Sequence, residues 1–217
     1  MTKEHFFKYS LTEQKNSEIN LIKLKRIVLL VATIAIFVLC GFFAFPLLCK
    51  GKDFSGALCA HFCSFFGDMG LIESLRAFTR FCLPDLVFLV FLTFSGYTMI
   101  PSIICKTTLS VYGFRIGYSL SVLYENLILS PIICNGTGAF ILFISAKFVI
   151  VCTFIYSVLK SEDFSFSFSS DFAKLKHPLV GKNSLSYLKN SASLCGCTII
   201  INAIYLIFLT IQKFTPI

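Results

Sequence analysis

The sequence predicts an all-α fold, a polytopic membrane bundle of about five transmembrane helices with an outer amphipathic helical segment. Three observations carry that reading. Of 217 residues, 56% are hydrophobic and 14% charged, with a mean hydropathy of +0.83, which is more apolar surface than one water-soluble core can hide. The apolar residues fall in runs of about 20, the length at which a helix crosses a bilayer. The basic residues cluster in segments flanking those runs, where they set topology and meet anionic lipid. The net charge of +8 therefore calls for no nucleic-acid partner, and no polar segment carries a basic stripe interleaved with stacking aromatics.

Residues 1–26 read as a cytoplasmic basic tail, with Lys3, Lys8, Lys15, Lys23, Lys25 and Arg26 set against Glu4, Glu13 and Glu18. That much charge is wrong for a signal-peptide leader, and the expectation is a loosely ordered tail. Residues 27–48 form the first span, without a small-residue cleavage pattern at its end and with Pro46 marking its exit. In residues 49–83 the apolar positions Leu58, Phe62, Phe65, Met69, Ile72 and Leu75 recur at spacings of four and three, one face of a helix. Gly67 and Gly70 interrupt that face, so the segment reads as two short amphipathic helices lying on the outer surface.

The second span, 84–105, opens on Pro84 and Asp85, which suit the first turn of a helix, and Pro101 is expected to kink its far end. The third, 109–129, is the least apolar. The fourth, 131–159, opens on a Gly-rich turn at Gly136 and Gly138 and contains Lys147. Residues 160–189 form a polar cytoplasmic loop with Lys160, Lys174, Lys176, Lys182 and Lys189. Its Ser/Phe alternation over Ser165 to Ser170 is a strand pattern, but a lone strand is marginal, so an extended or membrane-skimming linker is expected. Residues 190–211 form the last span.

Counting Lys and Arg on alternate sides gives one set with the N-terminal tail, Lys106 and the 160–189 loop, and another with Lys50, Lys52, Arg76, Arg80 and Lys213. The first is larger by roughly two to one, which orients a cell-membrane protein with its N-terminus in the cytoplasm and, after an odd number of spans, its C-terminus outside.

No catalytic set assembles from these residues, and the reading is a non-enzyme without a cofactor. His5, His61 and His177 lie outside the spans, which leaves no Ser/His dyad or zinc-binding pair at bilayer depth. Asp85 is the sole aspartate near a span, so no two-aspartate mechanism is available. Neither a P-loop nor a dinucleotide fingerprint occurs. On a helix, Cys59 and Cys63 would share a face while His61 points away, so these three are read as amphipathic filler and no metal is expected. Cys195 and Cys197 lack the spacing of a redox pair. Cys40, Cys105, Cys134 and Cys152 read as small hydrophobes, whereas Cys49, Cys59, Cys63 and Cys82 share one polar segment and leave a disulfide open if it faces an oxidising compartment. The Asn135-Gly136-Thr137 triplet matches a glycosylation acceptor only as a pattern.

The informative constellation is Gly113-Phe114-Arg115-Ile116-Gly117, with Ser119 and Ser121 following. Gly113, Gly117 and Ser121, each four residues apart, leave a smooth strip on one helix face for close helix packing or partner contact. Lys106, Arg115, Glu125 and Lys147 are polar groups at membrane depth, where a charge costs about 3 kcal/mol or more unless it is paired, snorkels or lines a polar cavity. Arg115 and Glu125 are too far apart on one helix to pair, so Arg115 is expected to seek a partner on another span.

The order of elements, with Tyr112-Gly113-Phe114-Arg115-Ile116-Gly117-Tyr118-Ser119-Leu120 as its closest local match and Ser95-Gly96-Tyr97 through Pro101 before it, resembles the stage II sporulation protein M family of bacterial membrane proteins. The chain departs from that pattern at Tyr112, where members often carry a basic residue, and at Arg115, usually small or apolar. The resemblance implies a non-enzymatic scaffold of the engulfing mother-cell membrane in an endospore former. Beside the membrane lipids that the flanking basic residues meet, the resemblance implies other membrane proteins as partners, among them a peptidoglycan-degrading enzyme and a second membrane-anchored hydrolase. The alternative from the residues themselves is a transporter or permease subunit, with Arg115 and Lys147 lining a path and Pro101 and Gly136 to Gly138 breaking helices beside it.

Overall fold

The computed structural model describes residues 3–48, 71–124, 136–173 and 182–214. These residues form five helices and, among them, no strand: α1 (Lys3–Leu48), α2 (Leu71–Ser95), α3 (Pro101–Tyr124), α4 (Gly136–Ala173) and α5 (Lys182–Phe214). Stretches within α1 (Leu21–Leu47), α4 (Phe140–Ser169) and α5 (Ser184–Phe208) are long and apolar enough to cross a membrane, and a shorter apolar stretch, Cys82–Ser95, closes α2. The chain is a multi-pass membrane protein.

Its radial distribution of polarity fits a lipid solvent. The outer faces carry large apolar side chains such as Val28, Phe43, Phe91, Ile103, Phe148 and Ile200, all exposed. Thr93, Ser95, Ser157, Ser161, Thr198 and Asn202 instead lie buried. In hydrocarbon, polar groups are driven inward to find partners, and no water-driven collapse demands an apolar centre. An apolar cluster still fills the middle: Leu89 and Leu92 of α2, Leu109 and Tyr112 of α3, and Ile150 and Phe154 of α4 are all fully buried.

Contacts fix the helix directions. Ile34 and Val38 of α1 meet Gly113 and Gly117 of α3 in the same order along both helices, so α1 and α3 are parallel. Thr93 and Asp85 of α2 meet Tyr187 and Asn202 of α5 in reverse order, so those two are antiparallel. Asp85 and Ser95 meet Lys147 and Ser161 in the same order, so α2 and α4 are parallel. The five helices therefore alternate up and down, and the start of α1 and the end of α5 lie at opposite ends of the bundle.

Several boundaries differ from those read from the sequence, for identifiable reasons. The basic segment expected as a tail continues α1 backward to Lys3. Residues 71–83 run without a break into α2, so Pro84 and Asp85 stand inside a helix rather than at its start. A proline there forfeits one backbone hydrogen bond, a loss that a long packed helix tolerates. The second span ends at Ser95, and Pro101 begins α3, where its fixed φ and missing N–H suit the first helical position. Between them the amides of Gly96, Tyr97 and Thr98 donate to the carbonyls of Thr93, Phe94 and Ser95 at 3.0–3.2 Å, closing the end of α2.

The Ser/Phe segment is helical, because α4 runs on to Ala173. Its alternation also contains helical spacing: Ser161, Phe164 and Ser165 are buried on one side, while Phe166 faces out with 83% exposure. The last helix starts at Lys182, within the expected loop. Of the outer amphipathic segment expected over 49–83, residues 49–70 with Cys59, His61 and Cys63 lie outside the described residues, as do Glu125, Cys134 and the Asn135 acceptor.

Candidate functional site

The centre of the bundle is a carboxylate. Asp85 of α2 is fully buried and accepts four hydrogen bonds, from three other helices. Its Oδ1 receives the Tyr112 hydroxyl at 3.0 Å and the Arg115 guanidinium at 3.4 Å, both from α3. Its Oδ2 receives Lys147 Nζ of α4 at 2.6 Å and Asn202 Nδ2 of α5 at 3.1 Å. Asn202 spends its second amide hydrogen on the Thr198 carbonyl at 3.0 Å, which fixes its rotamer within α5.

Local helix geometry makes this convergence possible. Tyr112 and Arg115 are three residues apart, so they share a face of α3. The Tyr112 ring is held between Phe88 and Phe154, with centroids at 5.2 and 4.4 Å, and that packing aims its hydroxyl at the carboxylate. Lys147 crosses the Phe143 ring, its Nζ 5.8 Å from the centroid, and so passes an apolar neighbour on its way to Asp85. Two cationic side chains thus face one carboxylate, Lys147 buried and Arg115 still 36% exposed along its side chain.

A second polar group closes one end of the bundle. Ser95 Oγ lies 2.7 Å from Ser161 Oγ and 3.0 Å from Cys105 Sγ, joining α2, α4 and α3. Tyr187 donates to the Thr93 carbonyl at 2.8 Å and stacks flat on Phe164 at 4.3 Å, while Ser165 donates to the Thr98 carbonyl at 2.6 Å. Among the described residues no buried side-chain nitrogen or oxygen lacks a partner.

The small-residue strip lies against α1. A Cβ at Gly117 would be driven into the Val38 carbonyl, one at Gly113 would sit 3.0 Å from the Ile34 oxygen, and one at Gly41 would meet the Phe114 carbonyl. Both backbones approach closely because Gly41 on α1 answers the glycines of α3, an interlock the sequence reading lacked. Ser121 is buried on the same helix. Of the four polar groups picked out from the sequence, Arg115 and Lys147 come together on Asp85, Lys106 is exposed on α3, and Glu125 falls outside the described residues.

The sequence does not mark Asp85, Tyr112 or Asn202 as members of a charge cluster. The signals available for them are a single carboxylate amid apolar residues at Asp85, which also suits a helix start, and an amide set deep in the apolar run of the last span at Asn202. Cys82 is buried beside the cluster and, among the described residues, six cysteines are free and no group of ligands could hold a metal ion.

The cluster can pin helices together, and it presents excess positive charge next to a cavity of about 20 Å³ bounded by Asp85, Tyr112, Arg115, Ser119, Phe143 and Lys147. That space holds about one water-sized group. Searches against family models, curated proteins and solved structures return no match.

Proposed function

We propose that this chain is a non-enzymatic membrane scaffold, a rigid helical body that assembles partners without performing chemistry on them. The observation that carries this reading is the use made of the intramembrane charges: Lys147 and Arg115 both converge on Asp85 and tie α2, α3 and α4 together. A solute path needs a polar cavity, and the space beside these charges is about 20 Å³. The permease reading rests on the same two cations and is the weaker one on that geometry. The Tyr112 to Leu120 resemblance supports a place among sporulation scaffolds, with peptidoglycan-remodelling enzymes as partners at the cell membrane. The distribution of basic residues supports a cytoplasmic N-terminus and an outer C-terminus.

The test is affinity purification of the tagged chain from bacterial membranes, paired with solute flux in proteoliposomes. Recovery of a peptidoglycan-degrading enzyme with the chain, and proteoliposomes no leakier than empty ones, is the expected pair of results. Flux that disappears in Arg115→Ala would replace the scaffold with a permease.

A further inference from the structure

Between α1 and α4 the bundle leaves an open groove of about 570 Å³, in the range of small-molecule sites. Its walls are apolar, with Ile27, Val31 and Val38 from α1 and Phe148, Val151 and Ile155 from α4. The span from Ile27 to Val38 is about 16 Å of helix, enough to lay out much of a long alkyl chain. One end differs in kind from the rest. There Ile116, Phe143 and Lys147 line both the groove and the small polar cavity that reaches Arg115 and Ser119. The groove therefore has a tail section bounded by hydrocarbon and a head niche bounded by cations.

The charge balance of the niche favours an anion. Arg115 and Lys147 share the single carboxylate of Asp85, and the Arg115 contact is the longer one, 3.4 Å against 2.6 Å. A guanidinium has five N–H donors in a planar fork that matches a carboxylate, so this partly exposed Arg115 has capacity for a second anion. A niche of about 20 Å³ takes one oxygen of an anionic head, and a planar carboxylate with its other oxygen at the groove mouth meets it with less bulk than a phosphodiester carrying its glycerol.

The geometry points to a binding site for a single-chain amphiphile with a carboxylate head, a long-chain fatty acid, its chain along α1 and α4 and its head at Arg115 and Ser119. This does not depend on the scaffold reading. A bilayer supplies such a ligand laterally, through the open side of the groove.

The chain contains no tryptophan, so Phe148→Trp, a conservative change at an exposed groove residue, gives a lone fluorescent reporter. In neutral detergent it is titrated with a dibrominated long-chain fatty acid and with the methyl ester of the same acid. The acid should quench at a concentration about tenfold lower than the ester, the worth of a charge-assisted hydrogen bond. Adding Arg115→Ala should remove that preference and Arg115→Lys should keep much of it, with quenching by the ester unchanged as the sign of an intact groove. Should Arg115→Ala not fold, Ser119→Leu fills the niche from outside the Asp85 hydrogen bonds and should abolish the preference equally. Equal quenching by acid and ester means that any alkyl chain fills the groove and overturns the proposal, as does a preference that survives both Arg115→Ala and Ser119→Leu.

Discussion

At the scale of single residues the bundle depends on Asp85. Removing a partner from a buried ion pair leaves an uncompensated charge and costs about 3–5 kcal/mol, far more than the net worth of the pair itself. Asp85→Ala should therefore lower the thermal midpoint of the purified protein steeply, because Lys147 and Arg115 would face each other with nothing between them. Adding Lys147→Met to Asp85→Ala should recover part of the loss. A double-mutant cycle by thermal denaturation checks this, with a coupling of about 0.5–3 kcal/mol expected for residues in direct contact. Tyr112 is a lesser case: Tyr112→Phe keeps the ring between Phe88 and Phe154 and removes one hydrogen bond, worth about 0.6 kcal/mol between membrane helices.

At the scale of elements, α1 and α3 are joined by absence of side chains. In lipid, association gains little from apolar burial, so van der Waals contact between close backbones carries it, and glycine is what lets the backbones close. Gly117→Leu should separate the two helices, because its side chain would have to occupy the Val38 carbonyl. Gly196 offers the contrast: a Cβ there meets nothing within 4 Å. Gly196→Ala should instead stabilise α5 by about 0.5–1 kcal/mol through helix propensity. Thermal midpoints of the two variants should move in opposite directions; both falling would mean that glycine acts here through something other than the α1 contact. The extension of α4 is also an element-scale effect. Nothing local favours helix over strand in the Ser/Phe run, but Phe164 stacks on Tyr187 and Ser165 bonds the Thr98 carbonyl, and only a helix delivers both.

At the scale of the whole molecule, five alternating helices bring the beginning of α1 and the end of α5 to opposite ends of the bundle. Arg26 and Glu162, 3.9 Å apart, mark the end that also holds the α2–α3 turn. Reporter fusions at the two termini should accordingly be active in opposite compartments, and under the orientation proposed from the basic residues the cytoplasmic one is the N-terminus. Both active in the same compartment would mean that one helix does not cross.

The solvent and the fold class are legible without any coordinates, since mean hydropathy follows from composition and the length of apolar runs from residue order, and backbone hydrogen bonds inside hydrocarbon leave helices as the simplest answer. The sequence also marked Gly113, Gly117, Arg115 and Lys147 as exceptional, because residues that cost energy in a membrane stand out against their neighbours. What joins them was decided by tertiary structure: that Gly41 meets the α3 glycines, and that Asp85, Tyr112 and Asn202 complete the charge cluster, depends on the rotation of each helix about its axis. A rotation of that kind is set by all neighbours at once, and no spacing along one helix records it.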